Sequence, residues 1–291
     1  MSLPASLPQI LFPSGEERSP LGLGTCGYGA EPADLAQEIG ALRLALDMGW
    51  RVFDTAEMYA EGGAERVLGL ALEQAFRAGL ARDSVMVVSK VLPEHAFEAS
   101  VVAACEQSLR RLKLDCIDLY LLHWPGPAPL AETVRGFEWL QRHGRIRHWG
   151  VSNFDLPQLR ELASVPGGAA CAANQVHHSL AARGVEFDLL PMQRVHQMPL
   201  LAYSPLDQGA LADHPALRDI AIRHRATPAQ VALAWLLRRP GVMALPKARS
   251  ILHLRHNWGA QALALALTAQ DLADLELRFP APTHKLPLSV R

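Results

Sequence analysis

Eight short apolar runs, at residues 21–25, 51–54, 85–90, 117–123, 146–152, 172–176, 200–203 and 242–246, alternate with longer segments of helical period. From the second run onward their polar ends fall at Asp54, Lys90, His123, Asn153, Gln175, Tyr203 and Lys247, and the gaps of 36, 33, 30, 22, 28 and 44 residues each leave room for a crossover helix. Neighbouring parallel strands need a connection of this kind, so the pattern is a βα repeat. A doubly wound sheet shares that alternation, but eight repeats in 291 residues suit a barrel, whose usual size is about 250 residues. No Gly/Ser/Pro linker or shift of composition interrupts the chain. We therefore expect a single α/β domain over 1–291, a (β/α)8 TIM barrel. The first 20 residues, broken by Pro4, Pro8 and Pro13, are expected to form a hairpin capping the barrel bottom.

Local signals support the helices. The segment 33–48 ends before Gly49, and Thr227-Pro228-Ala229-Gln230 combines a cap, a proline in the first turn and a glutamine that closes a capping box. Asp155 and Thr268 are placed to cap two more.

Composition narrows the function. With 49% hydrophobic residues and 28 Lys+Arg against 29 Asp+Glu, the chain can bury a core, and it lacks the basic blocks that a phosphate backbone requires. Nucleic acid is excluded as an expected partner. There is no basic leader ahead of an apolar segment and no apolar run of the roughly 18 residues that span a bilayer, so no membrane association is expected. The four cysteines, Cys26, Cys105, Cys116 and Cys171, form no C-x-x-C pair and suit reduced thiols in the cytoplasm.

The run Gly22-Leu23-Gly24-Thr25-Cys26-Gly27 fits a dinucleotide fingerprint, with Asp47 twenty residues further on. In that motif the glycines open a helix directly and the acid ends the next strand. Here Tyr28–Pro32 delays the helix and Asp47 falls within it. A Gly-rich first βα loop that admits a ligand is the better reading.

Four residues gain meaning together. In a barrel, Asp54, Tyr59, Lys90 and His123 would lie at the C-terminal face of strands 2, 3 and 4, where barrel active sites are built. A phenol is a poor acid at neutral pH, but an adjacent ammonium stabilises its phenolate and a carboxylate holds that ammonium in place. His123 could then orient a carbonyl oxygen. The set suits proton transfer to or from an oxygen at the carbonyl/alcohol level.

The motifs LGLGT, GWRVFDTAEMY, VSKV, DLYLLHWP, IRHWGVSNF, NQV, AYSPL and LPKA, in this order, resemble the aldo-keto reductase family over nearly the whole chain, and most of all its small bacterial reductases of methylglyoxal and other short aldehydes. The resemblance implies Tyr59 as general acid, tuned by Lys90 and Asp54, with His123 positioning the substrate. It implies cofactor contacts at Thr25, Ser152, Asn153 and Gln175, stacking of Tyr203 on a nicotinamide, a pyrophosphate loop at Ser204 and Leu206, and an adenine contact at Asn257. Family members that select NADPH usually follow the strand-8 lysine with serine and carry an arginine six residues after it. This chain has Lys247, Ala248 and His253 there, so we expect NADPH with relaxed discrimination against NADH, Arg249 or Arg255 reaching the 2′-phosphate. Cys26 and Leu92 stand where relatives often carry tryptophan, leaving Trp124 as the aromatic wall of a substrate pocket. The expected partner is a small carbonyl compound, bound by a monomer.

Two other readings are open at this level: a lyase using Lys90 as a Schiff-base nucleophile, and a nicotinamide-binding regulatory subunit with little turnover. The pair His177-His178 invites a metal reading, but neighbouring strand residues point to opposite faces and no further ligand motif accompanies them.

Overall fold

The computed structural model describes residues 6–290; Pro4 lies outside the described residues. Among the described residues ten strands run in chain order as β1 (Ile10–Leu11), β2 (Glu17–Arg18), β3 (Leu23–Gly24), β4 (Val52–Asp54), β5 (Met86–Val91), β6 (Ile117–Leu122), β7 (Ile146–Ser152), β8 (Asn174–His177), β9 (Leu200–Tyr203) and β10 (Val242–Leu245). The α-helices are α1 (Leu35–Met48), α2 (Gly63–Arg77), α3 (Glu98–Leu112), α4 (Leu130–Arg142), α5 (Leu156–Ser164), α6 (Leu189–Val195), α7 (Arg218–Arg223), α8 (Pro228–Leu237), α9 (Ile251–Ala266) and α10 (Ala269–Arg278). Two compact units result, one over Leu23–Asn174 and the other joining the residues up to Gly22 with those from Gln175 onward.

In the unit Leu23–Asn174, β3 to β7 pair in parallel and in chain order. Every residue of β5 and β6 is buried, as expected for parallel strands covered on both faces. The register sets Asp54 opposite Gly24 and Val88, and Lys90 opposite Leu121. The ends of these strands therefore line up, bringing Thr25, Asp54, Lys90, His123 and Ser152 to one rim. Phe137 of α4 stacks on Trp149 of β7 at 5.4 Å and meets Tyr120 of β6 edge-on at 6.0 Å, which fixes the helix over the sheet.

In the other unit, β9 and β10 are parallel with Leu200 opposite Val242, and Leu21 bridges to Ala244. Helix α8 is apolar beyond its capping residue Gln230, and its residues Val231–Leu237 are buried. The N-terminal segment forms the antiparallel hairpin β1–β2, with Ile10 opposite Arg18. The capping box anticipated at Thr227 forms, and the caps anticipated at Asp155 and Thr268 form as capping boxes too, each closed by the residue three positions on.

The strands differ from expectation at their ends. The first is only Leu23–Gly24, the fourth stops at Leu122, and the sixth is Asn174–His177 instead of 172–176. The pairing itself still reaches further. His123 N–H donates to Val91 O at 3.0 Å, and Ala172 and Val151 N–H donate to Trp149 and Ala173 carbonyls, so the chain is bonded before and after its regular stretch. The first helix begins with a 3-10 turn at Pro32–Asp34, and Asp47 is an exposed residue of α1.

Candidate active site

Asp54, Tyr59 and Lys90 meet at the rim of the parallel strands. Lys90, fully buried at the end of β5, donates to Asp54 Oδ2 at 2.9 Å, to the Thr55 carbonyl at 2.8 Å and to Tyr59 Oη at 3.3 Å. An ammonium has three protons, and these three acceptors use them all. Asp54 is itself fixed by its strand, because Thr25 N–H and Thr25 Oγ1 both donate to its carbonyl, at 2.9 and 3.0 Å.

The turn after β4 places the phenol. Tyr59 N–H donates to Ala56 O, and the three residues that follow, Ala60, Glu61 and Gly62, all have positive φ. This run reverses the chain into α2 immediately behind Tyr59. At its far side a methyl group on Gly29 would overlap the Gly63 backbone, so the loop carrying Cys26 can lie against the start of α2 only because Gly29 has no side chain. Cys26 itself is exposed.

The electrostatics follow from burial and from Lys90. Desolvation pushes the Tyr59 phenol up to about 12, against the opposing pull of the Lys90 ammonium, and Asp54 and Cys26 add to the rise. The ammonium was expected to favour the phenolate; it does, but burial outweighs it. For Lys90, burial works against the charge, yet Asp54 and Tyr59 together hold its pKa above the ordinary value. His123 is buried and is pushed down to about 3, first by desolvation and then by Lys90, so its imidazole is neutral at physiological pH. Its ring meets Tyr59 edge-on at 5.9 Å, and Nδ1 has no hydrogen-bond partner among the described residues.

The pocket candidates of this unit fall nearby. Trp124, half-buried, lies 4.7 Å from the His123 ring, and Leu92 is half-buried just past β5. Asn153, held at φ 60, donates to His123 O at 3.0 Å and to Ser152 Oγ at 3.2 Å, joining the fifth strand end to the fourth. Asparagine tolerates that left-handed conformation better than most residues.

The remaining cofactor candidates belong to the other unit. Gln175 is buried on β8. Tyr203, at the end of β9, stacks on His177 at 5.7 Å, and Ser204 and Leu206 form a turn closed by Asp207 N–H to Ser204 O at 2.8 Å, with Ser204 at positive φ. Lys247 is exposed, and Ser250 caps α9 by accepting from His253 N–H at 3.1 Å. Asn257 is buried on the same helix, while His253 is exposed in its first turn. His177 and His178 are each engaged separately, His177 with Ser289 and Asp207, His178 with Glu186.

Sequence reasoning missed two contributors. The Thr55 carbonyl is a backbone group, which no residue type announces. Glu57 sits inside the motif that was read, and a carboxylate between two site residues was the available signal; its Oε1 accepts from Leu92 N–H at 2.7 Å.

The model of the aldo/keto reductase family matches residues 20–277. Methylglyoxal reductase YeaE of Escherichia coli is 44% identical over 283 residues, covering 95% of this chain and 97% of that protein. Glyoxal reductase of Bacillus subtilis is 35% identical over 275 residues, with 94% of each chain covered. An aldo-keto reductase from Klebsiella pneumoniae, solved in complex with NADPH, has 43% sequence identity and a TM-score of 0.90 over 98% of this chain and 99% of its own. The (β/α)8 barrel is thus the fold of this chain, and the chain belongs to the aldo/keto reductase family.

Proposed function

We propose that the chain reduces short aldehydes and reactive ketones of the methylglyoxal type to alcohols with NADPH, NADH being accepted less well. The observation that carries this reading is the line Asp54–Lys90–Tyr59 with a neutral His123 beside it. The similarity to methylglyoxal and glyoxal reductases, and to a protein crystallised with NADPH, supports it.

A bound reduced nicotinamide supplies the hydride that reaches the carbonyl carbon. The chain's own residues manage the oxygen. His123, neutral and therefore carrying one N–H, donates to the carbonyl oxygen and orients it. Tyr59 still holds its proton at physiological pH and delivers it as the oxygen gains charge. Lys90, 3.3 Å from the phenol oxygen, then faces the negative charge left on Tyr59, and Asp54 keeps the ammonium in place. A Schiff-base role for Lys90 is disfavoured by the same contacts, because an ammonium with three acceptors and a raised pKa offers no free amine.

The residues fit a nicotinamide cofactor in kind. Ser152 and Gln175 are buried polar side chains at strand ends, suited with Asn153 to a carboxamide. Tyr203 offers an aromatic face, Thr25 a hydroxyl oxygen that can accept, the Ser204–Leu206 turn polar backbone, and Asn257 an amide for adenine. Lys247 and Arg249, ahead of the capped start of α9, supply positive charge for a 2′-phosphate. Cys26, Leu92 and Trp124 are assigned to the substrate pocket. We place the protein in the cytoplasm as a monomer; its four free thiols support a reducing compartment.

Absorbance of the reduced nicotinamide, followed with methylglyoxal and with NADPH and NADH in parallel, tests the reading. Oxidation favouring NADPH is expected. Tight cofactor binding without oxidation would move the assignment to a regulatory subunit, and borohydride trapping of substrate without nicotinamide would move it to a lyase.

A further inference from the structure

The turn that carries Tyr59 holds a carboxylate for which the proposed chemistry has no use. Glu57 lies between Asp54 and Tyr59 with a side chain only 9% exposed. Its Oε1 accepts from Leu92 N–H at 2.7 Å and pairs with His95 Nδ1 at 3.0 Å, while its own N–H donates to Lys90 O at 3.3 Å. Glu57 thus grips both ends of the segment Lys90–His95, which leads from the buried ammonium to the loop beyond it. Burying a carboxylate is costly unless donors replace its water, and the two donors here come from a single loop.

That loop supports a wall. Pro93, next to Leu92, is buried, and a methyl group on Gly126 would overlap its ring, so the chain after β6 closes directly over it. Gly126 follows Trp124 by two residues, and Trp124 lies 4.7 Å from His123. The contacts therefore run from Glu57 through Leu92 and Pro93 to Gly126, two residues from Trp124, whose ring lies beside His123.

We infer that Glu57 is a specificity-determining positioning residue, whose carboxylate ties the 92–95 loop to the Tyr59 turn and holds Leu92 and Trp124 close enough to favour short aldehydes over bulky ones. This rests on the aldehyde-reductase reading. Releasing the loop lets the wall retreat, which costs a small substrate its contacts and gives a large one room, without touching the atoms that transfer the proton.

The test is steady-state kinetics of the full chain with NADPH on methylglyoxal and phenylglyoxal, for the unsubstituted protein, Glu57→Ala and Glu57→Gln. Glu57→Ala is expected to raise KM for methylglyoxal about tenfold, the equivalent of one lost hydrogen bond, with kcat nearly unchanged and KM for phenylglyoxal level or lower. Glu57→Gln keeps a carbonyl oxygen for Leu92 N–H and should restore most of the preference. His95→Ala cuts only the outer bond and should move the preference the same way by less, which keeps the test available if Glu57→Ala does not fold. Equal losses on both aldehydes, a fall in kcat alone, or Glu57→Gln as damaging as Glu57→Ala would overturn the inference. Failure of the unsubstituted protein to reduce either aldehyde would instead overturn the reductase reading, and this inference with it.

Discussion

Lys90 Nζ lies 3.3 Å from Tyr59 Oη and 4.9 Å from the centre of its ring, and both groups are held above their ordinary pKa values. Both therefore stay protonated through the physiological range. Lys90 cannot take the phenol proton; it can only stabilise the charge that the departing proton leaves behind. Tyr59→Phe should accordingly reduce turnover by about 10²–10⁴-fold, the usual worth of a positioned general acid, while NADPH binding measured by fluorescence titration is unchanged. On the proposed mechanism aldehyde reduction uses the phenol and should be flat across neutral pH. Alcohol oxidation would use the phenolate and should climb with pH towards the Tyr59 value of about 12.

Removing Lys90 tests stability as much as chemistry. Asp54 is 4% exposed and its buried partner is the ammonium, so Lys90→Met leaves a carboxylate enclosed without its counter-charge. Breaking a buried pair in this way costs about 3–5 kcal/mol. Urea unfolding should show that loss for Lys90→Met and recover much of it in the double variant Lys90→Met/Asp54→Asn, in which both charges are gone. An additive double variant would mean that the pair is not coupled.

What the sequence disclosed of this site, and what it withheld, follows from the same geometry. Parallel strands of similar length end on one rim, so the last polar residue of each run, Asp54, Lys90 and His123, could be placed together from spacing alone. The helix caps at Asp155, Thr227 and Thr268 were equally legible because they are local. The direction of the Tyr59 shift was not, since it depends on whether desolvation or the Lys90 charge prevails, and only the depth of the site decides that. Glu57 offered only its carboxylate within the motif as a signal: its partners, the Leu92 N–H thirty-five residues away and the His95 ring, lie in a loop that spacing does not bring to it. Strand ends were misjudged by one or two residues where hydrogen bonding continues past the regular ladder, as at His123 and Ala172.

His123 supplies a prediction for acid. Its folded pKa of about 3 is below the ordinary 6.5, because the buried ring resists charging. Between those values the unfolded chain binds a proton that the folded chain refuses, so stability contributed at this position is present above pH 6.5 and is lost as the pH falls towards 3. At pH 4.5 the loss should be about 2–3 kcal/mol relative to neutral pH. His178, also buried and also lowered, adds in the same direction. Urea midpoints at pH 7 and 4.5 for the unsubstituted protein and His123→Asn isolate the term: the variant should lose less stability on acidification. An equal loss in both would show that the ring is charged in the folded state.

His253 tests the cofactor assignment most directly. It is exposed in the first turn of α9, and its backbone N–H is already bound by the Ser250 hydroxyl, so substitution there leaves the helix cap intact. If Lys247 and Arg249 face the 2′-phosphate from the segment just before this helix, a guanidinium at residue 253 adds a planar, permanently charged donor that can grip the phosphate at two points. NADH has no such phosphate and should gain nothing. His253→Arg is therefore expected to tighten NADPH by about tenfold, equivalent to one charge-assisted hydrogen bond, and to leave NADH within twofold. The gain should shrink as salt is raised, because the new contact lies on an exposed face. Tightening of both cofactors alike would place residue 253 near a part that they share, and unchanged affinities for both would place the phosphate away from α9 altogether.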